Sequence, residues 1–253
     1  MRNTFLLALD TSTEYCSVAL AVFTPESKYA LHGEIEPLNL FTRHEGTGAV
    51  SGERLLPAVR EVLNEAQCDV HDCAAIAFGA GPGAFTGIRT ATGVAQGLAF
   101  ALQTPMIPVN TLLACAQAAR ARHPASTRVL AALDARLDEV YWGVFEWEET
   151  RADWRTVQAI SVSAPEFVIA SGIFTLAGNA ATVFGTRLAA QADAALIDPQ
   201  ALPHAAPIAR LGWQSLCAGR AVLAMDAMPE YVRNQVALKM ELLKCTENRL
   251  PQP

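Results

Sequence analysis

The pattern of apolar and polar positions predicts strands in the first part of the chain. Thr4 to Asp10 and Tyr15 to Phe23 are apolar runs separated by a short polar turn, which is typical of a β-hairpin. A third edge strand is predicted near Ala30 to Glu34. Residues 36–51 are polar and rich in glycine, and they are predicted to form a loop.

Two helices are predicted next, one on each side of a short strand. Apolar residues recur at helical spacing from Glu53 to Ala66. The strand Ala74 to Phe78 then runs into the glycine-rich segment 79–87, and a second helix continues to about Gln103. That helix carries an apolar stripe and, on roughly the opposite side, a stripe of small residues: Thr86, Thr90, Gly93, Gly97 and Ala101.

The small-residue stripe needs a physical reason. A glycine inside a helix costs about 1 kcal/mol relative to alanine. Two glycines therefore indicate that another backbone approaches closely. The stripe faces either the chain's own core or a partner subunit, and the pattern alone leaves both readings open.

The second half of the chain repeats the opening. Arg128 to Asp134 is an apolar strand that ends in aspartate, and Glu139 to Trp147 follows after a turn. Asp10 and Asp134 thus occupy equivalent places in two halves, which predicts a duplicated chain with two lobes. Three later elements are also predicted: an alternating segment at Thr156 to Val162, a strand at Ile173 to Ala177 and a helix from Pro207 to Leu223. The tail after Lys239 is predicted to be frayed.

Composition narrows the class of protein. The chain has 253 residues, a net charge of −6, and 17% charged residues, where about 25% is usual. This deficit predicts an apolar surface that meets another chain. An acidic pI of about 5.4 argues against a broad nucleic-acid surface. The six cysteines form no CxxC pair, and no apolar run is long enough to span a membrane, so we expect a reduced, cytoplasmic protein.

The glycine-rich segment is a candidate anion site, because successive glycines before a helix leave backbone N–H groups accessible. No lysine follows it, which excludes a Walker P-loop. A loose dinucleotide match, Gly79-x-Gly81-x-x-Ala84, lacks the acidic residue expected about twenty positions later. The alternative is a tight strand-to-helix connection, which by itself explains one or two glycines.

Catalytic machinery is not apparent in the sequence. It contains no GxSxG motif and no pair of histidines three or four apart. Cys68, His71 and Cys73 lie close together but lack the fourth ligand of a structural zinc site, so we predict no metal. Asp10 and Asp134 each end a strand before a turn, where an aspartate either holds Mg²⁺ or caps the turn.

Three segments resemble the TsaB (YeaZ) family. They are Leu7-Ala8-Leu9-Asp10-Thr11-Ser12-Thr13, the loop Gly81-Pro82-Gly83-Ala84-Phe85-Thr86-Gly87-Ile88-Arg89, and Leu133-Asp134-Ala135-Arg136 with Glu139-Val140-Tyr141. Pro229-Glu230-Tyr231-Val232-Arg233 is similar to the family's C-terminal motif. The resemblance implies a duplicated actin-like ATPase (RNase H-like) α/β fold, with a mixed sheet and flanking helices in each lobe. We expect lobes at residues 1–106 and 107–253, with the last helix packing back on the first lobe.

The resemblance also implies a role. Family members take part in forming threonylcarbamoyladenosine at position 37 of tRNAs that read codons beginning with A, as non-catalytic paralogues of the transferase TsaD. TsaD has two metal-binding histidines four apart; the matching places here are near Thr111 and Cys115, so we expect no metal and no catalytic residue. The implied partners are TsaD and the ATPase TsaE, with homodimerisation through the same helices when the chain is alone and contact with tRNA only through the complex.

Two sets of site residues are therefore expected. The partner surface on the first-lobe helices comprises Glu53, Leu56, Arg60, Thr86, Thr90, Gly93 and Gly97. The cleft set comprises Asp10, Thr11, Ser12, Gly81, Gly83 and Asp134. We expect no cofactor on the chain alone, with ATP or ADP at the boundary with TsaD left open. Two alternatives remain: a nucleotide-binding kinase or ATPase of the actin-like superfamily, and a glycoprotease-type peptidase.

Overall fold

The computed structural model describes residues 3–29 and 36–233. The strands in this part of the chain are β1 (Thr4–Asp10), β2 (Tyr15–Phe23), β3 (Asn39–Gly46), β4 (Cys73–Gly81), β5 (Met106–Asn110), β6 (Arg128–Asp134), β7 (Val140–Glu148), β8 (Asp153–Ser163), β9 (Thr175–Ala177) and β10 (Leu196–Asp198). The α-helices are α1 (Ser51–Glu65), α2 (Phe85–Leu102), α3 (Thr111–Arg122), α4 (Ala180–Phe184) and α5 (Ala205–Cys217).

The strands form two sheets with the same connectivity. Sheet 1 has the order β3-β2-β1-β4-β5, and sheet 2 has the order β8-β7-β6-β9-β10. In each sheet, the first three strands form an antiparallel meander and the last two add in parallel. Because the repeat extends to five strands per lobe, the predicted duplicated α/β fold with a mixed sheet in each lobe is confirmed.

Sheet 1 is covered by helices on both faces. Leu7 and Leu9 on one face pack against α1 and α2, whereas Leu6 and Ala8 on the other face pack against α5. Consecutive residues of a strand point to opposite faces, so a central strand such as β1 must be apolar at nearly every position. Sheet 2 lies between α3 on one face and the segment around α4 on the other.

The two lobes exchange their final helices. Helix α3 follows a strand of sheet 1 but packs on Val129, Ala131 and Leu133 of sheet 2. Helix α5 follows a strand of sheet 2 but packs on sheet 1, where Ile208 and Trp213 are buried. The two helices also touch each other between the sheets, so this exchange forms the base that joins the lobes.

The loop predicted for residues 36–51 is wrong. Residues 39–46 form β3, which pairs antiparallel with β2 from Val22↔Asn39 to Tyr15↔Gly46. This edge strand is at most half-buried, and its stability comes from the backbone hydrogen bonds to β2. Because neither face is fully buried, its sequence lacks the apolar alternation that would have predicted a strand. The strand predicted near Ala30 to Glu34 and the tail after Lys239 lie outside the described residues.

Several other boundaries differ from the prediction. The helix expected from Pro207 to Leu223 ends at Cys217, because Val222 leaves it to pair with Met106 at the edge of sheet 1. The strand expected from Ile173 begins at Thr175. None of the helices in the described ranges is both long and apolar enough to cross a membrane.

Candidate functional site

A cleft of about 700 Å³ lies between the lobes. Equivalent turns supply its two walls. The β1–β2 turn and the β4–α2 loop come from lobe 1, and the β6–β7 turn comes from lobe 2. A third side is formed by residues 230–233, which follow the last helix. The cleft is therefore bounded by the glycine-rich loop, by both strand-ending turns and by the C-terminal motif.

Asp10 lies beneath this cleft and does not line it. The residue is completely buried, and its Oδ2 accepts a hydrogen bond of 3.0 Å from the Ser12 hydroxyl. The other oxygen, Oδ1, has no hydrogen-bond partner. Burial raises the pKa of Asp10 to about 7, although the bonds from Ser12 act in the opposite direction. Ser12 lines the cleft, whereas Thr11 is buried and donates to the carbonyl of Gly87 at 2.6 Å.

The glycines of the β4–α2 loop face the chain's own backbone. An added Cβ would lie 2.5 Å from the Ser12 carbonyl oxygen at Gly83 and 1.8 Å from the Thr11 carbonyl oxygen at Gly87. Gly81 has φ +120 and would place a Cβ 2.7 Å from the carbonyl oxygen of Glu230. These contacts account for more glycines than the one or two expected of a tight connection alone. The space beside the loop is filled by protein on two sides.

Asp134 caps its own turn. Its Oδ1 accepts from the backbone N–H of Arg136 at 2.8 Å, and its Oδ2 lies 3.1 Å from the Arg136 guanidinium. The side-chain amide oxygen of Asn179 accepts from the Asp134 backbone N–H at 2.9 Å. Asp134 lines the cleft with a side chain that is 10% exposed. Of the two readings left open for this residue, the hydrogen bonds favour turn capping.

Thr111 and Cys115, the two places where the resemblance implies that metal-binding histidines are missing, are in the interior. Thr111 and Cys115 are both completely buried at the start of α3, and the Thr111 hydroxyl donates to the Pro82 carbonyl. Burial raises the pKa of the Cys115 thiol well above its usual value. In residues 3–29 and 36–233, no three His, Cys, Asp or Glu side chains are grouped as metal ligands.

Helices α1 and α2 pack side by side on sheet 1 and leave an open outer face. We call this the α1–α2 face. Gly93 and Gly97 are exposed, and an added Cβ at either would meet no atom of residues 3–29 and 36–233 within 4 Å. Burial of the small-residue stripe in the chain's own core is therefore wrong. The other expected partner residues are exposed as well, except Thr90, which is half-buried against α1; the exposed ones are Glu53, Leu56, Arg60 and Thr86.

Large apolar side chains extend the α1–α2 face beyond the predicted residues. Phe100 at the end of α2 is 78% exposed, and Val50 just before α1 is 52% exposed. Leu56 is exposed between them along α1. Neither Phe100 nor Val50 was predicted, although Phe100 follows Gly97 by three residues on α2 and Val50 precedes Glu53 by three residues.

Known proteins match this chain over most of its length. A family model described as TsaD, tRNA N6-adenosine threonylcarbamoyltransferase, matches residues 49–239. The tRNA threonylcarbamoyladenosine biosynthesis protein TsaB of Haemophilus influenzae is 36% identical, covering 94% of this chain and 98% of that protein. TsaB of Escherichia coli K12 is 37% identical, covering 92% and 96%.

A solved structure agrees with these sequence relatives. YeaZ from Pseudomonas aeruginosa superimposes with a TM-score of 0.78 at 38% identity, over 90% of this chain and 99% of that one. The similarity therefore covers both lobes, the cleft between them and the exposed helix pair. The chain belongs to the TsaB (YeaZ) family of tRNA threonylcarbamoyladenosine biosynthesis proteins.

Proposed function

We propose that the chain is a non-catalytic subunit needed to form threonylcarbamoyladenosine at position 37 of tRNAs that read ANN codons. In this proposal it acts in the cytoplasm by pairing with and activating a TsaD subunit. The observation that carries it is the α1–α2 face, where Gly93 and Gly97 leave room for another backbone to approach. Small residues on one helix let a second helix pack at short distance, and the exposed Leu56 and Phe100 add apolar area to bury.

The same face serves a second copy when TsaD is absent, and TsaE joins the complex with TsaD. In this proposal the chain contacts tRNA only as part of that complex. The net charge of −6 supports this, because extensive phosphate contact requires a cationic surface.

The cleft supports a role without catalysis. Its glycine loop is packed against Thr11, Ser12 and Glu230 of the same chain. Asp134 and Arg136 are paired with each other, and no lysine lies within the loop or directly after it. We therefore propose that the isolated chain binds no cofactor, and that any ATP or ADP lies at the boundary with TsaD.

A binding experiment tests this proposal. Purified TsaD is titrated with the parent chain and with Gly93→Leu, which places a bulky side chain on the open face. We expect binding to weaken at least about 100-fold, equivalent to about 2.7 kcal/mol, with no loss of folding. Thr182→Leu, which adds a leucine at an exposed position of α4 in lobe 2, is the matched control and should bind normally.

Two outcomes would contradict the proposal. Equal TsaD binding by Gly93→Leu and Thr182→Leu would remove the α1–α2 face as the partner surface. Micromolar binding of ATP and Mg²⁺ to the isolated chain would instead favour a kinase or ATPase of the actin-like superfamily.

A further inference from the structure

The C-terminal motif crosses from one lobe to the other. Residues 222–233, here called the strap, follow α5 and run along lobe 1 before they reach lobe 2. At its start, Val222 exchanges two backbone hydrogen bonds of 2.8 and 2.9 Å with Met106 on the edge strand β5. The strap therefore begins as an extra pairing at the edge of sheet 1.

The middle of the strap is held by α2. The side-chain amide of Gln96 donates to the carbonyl oxygens of Ala224 at 3.1 Å and Ala227 at 2.8 Å. Ala227 itself is 1% exposed and belongs to the core beneath α1 and α2. Because the Ala227 side chain is buried and two backbone carbonyl groups accept hydrogen bonds from Gln96, the middle of the strap is part of the packed structure of lobe 1.

The strap next packs beside the glycine-rich β4–α2 loop. The backbone N–H of Glu230 donates to the Ala80 carbonyl at 2.7 Å, beside Gly81. The Glu230 carboxylate accepts from the Asn110 side chain at 2.7 Å. The Tyr231 hydroxyl accepts from Arg89 at 2.8 Å. Lobe 1 thus holds the strap up to residue 231.

Arg233 makes the connection to lobe 2. Its Nη2 donates to the carbonyl oxygens of Ala135 at 3.0 Å and Arg136 at 3.4 Å, and to the Glu139 carboxylate. All three acceptors belong to the β6–β7 turn. The side chain is 16% exposed, and charge-assisted hydrogen bonds of this type are stronger than neutral ones.

These contacts lie at the cleft, away from the base that joins the lobes. At the base, α3 and α5 pack between the sheets. We propose that the strap is a latch: Arg233 holds the β6–β7 turn against lobe 1 and keeps the cleft closed, and releasing Arg233 lets the lobes open about the α3–α5 base. Two lobes that are joined only at one end can rotate about that end as a hinge. A contact across the open end of the cleft, such as that of Arg233, then limits how far the lobes separate.

The test measures the distance between the lobes. Spin labels on genetically encoded non-natural residues replace Val50 in lobe 1 and Val183 in lobe 2, which are both 52% exposed. The labelled chain is diluted into an excess of unlabelled chain, so that only pairs within one molecule are detected by pulsed electron–electron double resonance. We expect Arg233→Ala to shift the distribution to longer distances and to broaden it, and Arg233→Lys to shift it less.

Arg136→Ala is the matched control. It removes a guanidinium from the same turn, but that side chain is 86% exposed and pairs with Asp134 inside lobe 2, so the distance should not change. If Arg233→Ala does not fold, Glu139→Gln removes the charged acceptor and should produce a smaller shift in the same direction. Distributions identical to that of the parent for the folded Arg233→Ala, or for Glu139→Gln in its place, would overturn the proposal.

Discussion

Gly79 on β4 and Asp10 on β1 are packed so closely that a Cβ added to Gly79 would lie 2.0 Å from Oδ1 of Asp10. Asp10 ends β1, and Gly79 lies two residues before the end of the neighbouring parallel strand β4. Ile208 of α5 closes the same space from the other side, at 3.3 Å from that Cβ. The carboxylate beneath the cleft is thus enclosed by residues of lobe 1 and by the helix that lobe 2 contributes.

We expect Gly79→Ala to destabilise the protein. Asp10 is buried and bonded to Ser12, so it cannot move aside without losing that bond. The free energy of unfolding should fall by about 2–4 kcal/mol. Urea denaturation measures this. Gly93→Ala is the control, because its Cβ meets nothing within 4 Å and it should raise stability by up to about 1 kcal/mol; similar losses in both variants would contradict the interpretation.

Asp10→Asn should change the pH dependence of stability. Burial raises the pKa of Asp10 from 3.8 to about 7 in the folded protein, so the native state holds this proton more tightly than the unfolded chain does. The resulting stabilisation is complete below about pH 4 and is lost as the pH rises through 7. Asparagine does not ionise. The variant should therefore gain stability relative to the parent between pH 4 and 8, on the order of 3 kcal/mol.

Urea denaturation of both proteins at pH 5 and pH 8 checks this prediction. A difference between parent and Asp10→Asn that is the same at both pH values would contradict it. The result also bears on function, because an aspartate that held Mg²⁺ in the cleft would have to remain ionised and accessible.

Strong local patterns made much of the fold predictable. The strands β1, β2 and β6 begin and end at the predicted residues, because each is a central strand that is apolar on both faces. The equivalence of Asp10 and Asp134 correctly predicted the duplication. Edge strand β3 has no such pattern. Helix α3 was not predicted because it is buried nearly all round, which leaves no polar stripe to mark its period.

The candidate site was predictable only in part. The small-residue stripe of α2 is a local pattern, and among the described residues nothing lies within 4 Å of a Cβ added at Gly93 or Gly97. The reason for the loop glycines is not local. Gly83 and Gly87 face the β1–β2 turn about 70 residues earlier in the chain, and Gly81 faces Glu230. Such contacts depend on tertiary packing, which no spacing within the loop reveals.

Gly212→Ala should weaken the attachment of the exchanged helix α5. An added Cβ at this position would lie 2.7 Å from the Cβ of Ala77 on β4. Helix and sheet would have to separate slightly, which costs about 1–3 kcal/mol of stability. Thermal or urea unfolding measures the loss. The double variant Ala77→Gly with Gly212→Ala removes the methyl group of residue 77 that the new Cβ would meet. It should recover part of the lost stability, and no recovery would contradict the proposed contact.

The contribution of His204 to stability should be lost on mild acidification, in the direction opposite to that of Asp10. This residue precedes α5, and its Nδ1 accepts a hydrogen bond of 3.4 Å from the Ala206 N–H, so it caps the helix in its neutral form. Burial, followed by the electrostatic effects of His44 and Arg210, lowers the pKa of His204 to about 4. Protonation would remove the accepting nitrogen and place a charge among those groups.

The lowered pKa of His204 makes stability depend on pH between about 6.5 and 4. The pKa is lower in the folded protein than the ordinary value of 6.5, so the unfolded chain binds the proton more readily, and stability is lost as the pH falls from about 6.5 towards 4. We expect His204→Asn, which keeps a side-chain acceptor for the helix, to gain stability relative to the parent in urea unfolding as the pH falls from 7 to 4.5. His44→Asn removes the neighbouring imidazole ring, so that its contribution is measured separately from that of His204. Burial also lowers the pKa of His44. If the stability difference between the parent and His204→Asn is the same at pH 7 and pH 4.5, His204 is not a titrating group in this range, which would contradict the prediction.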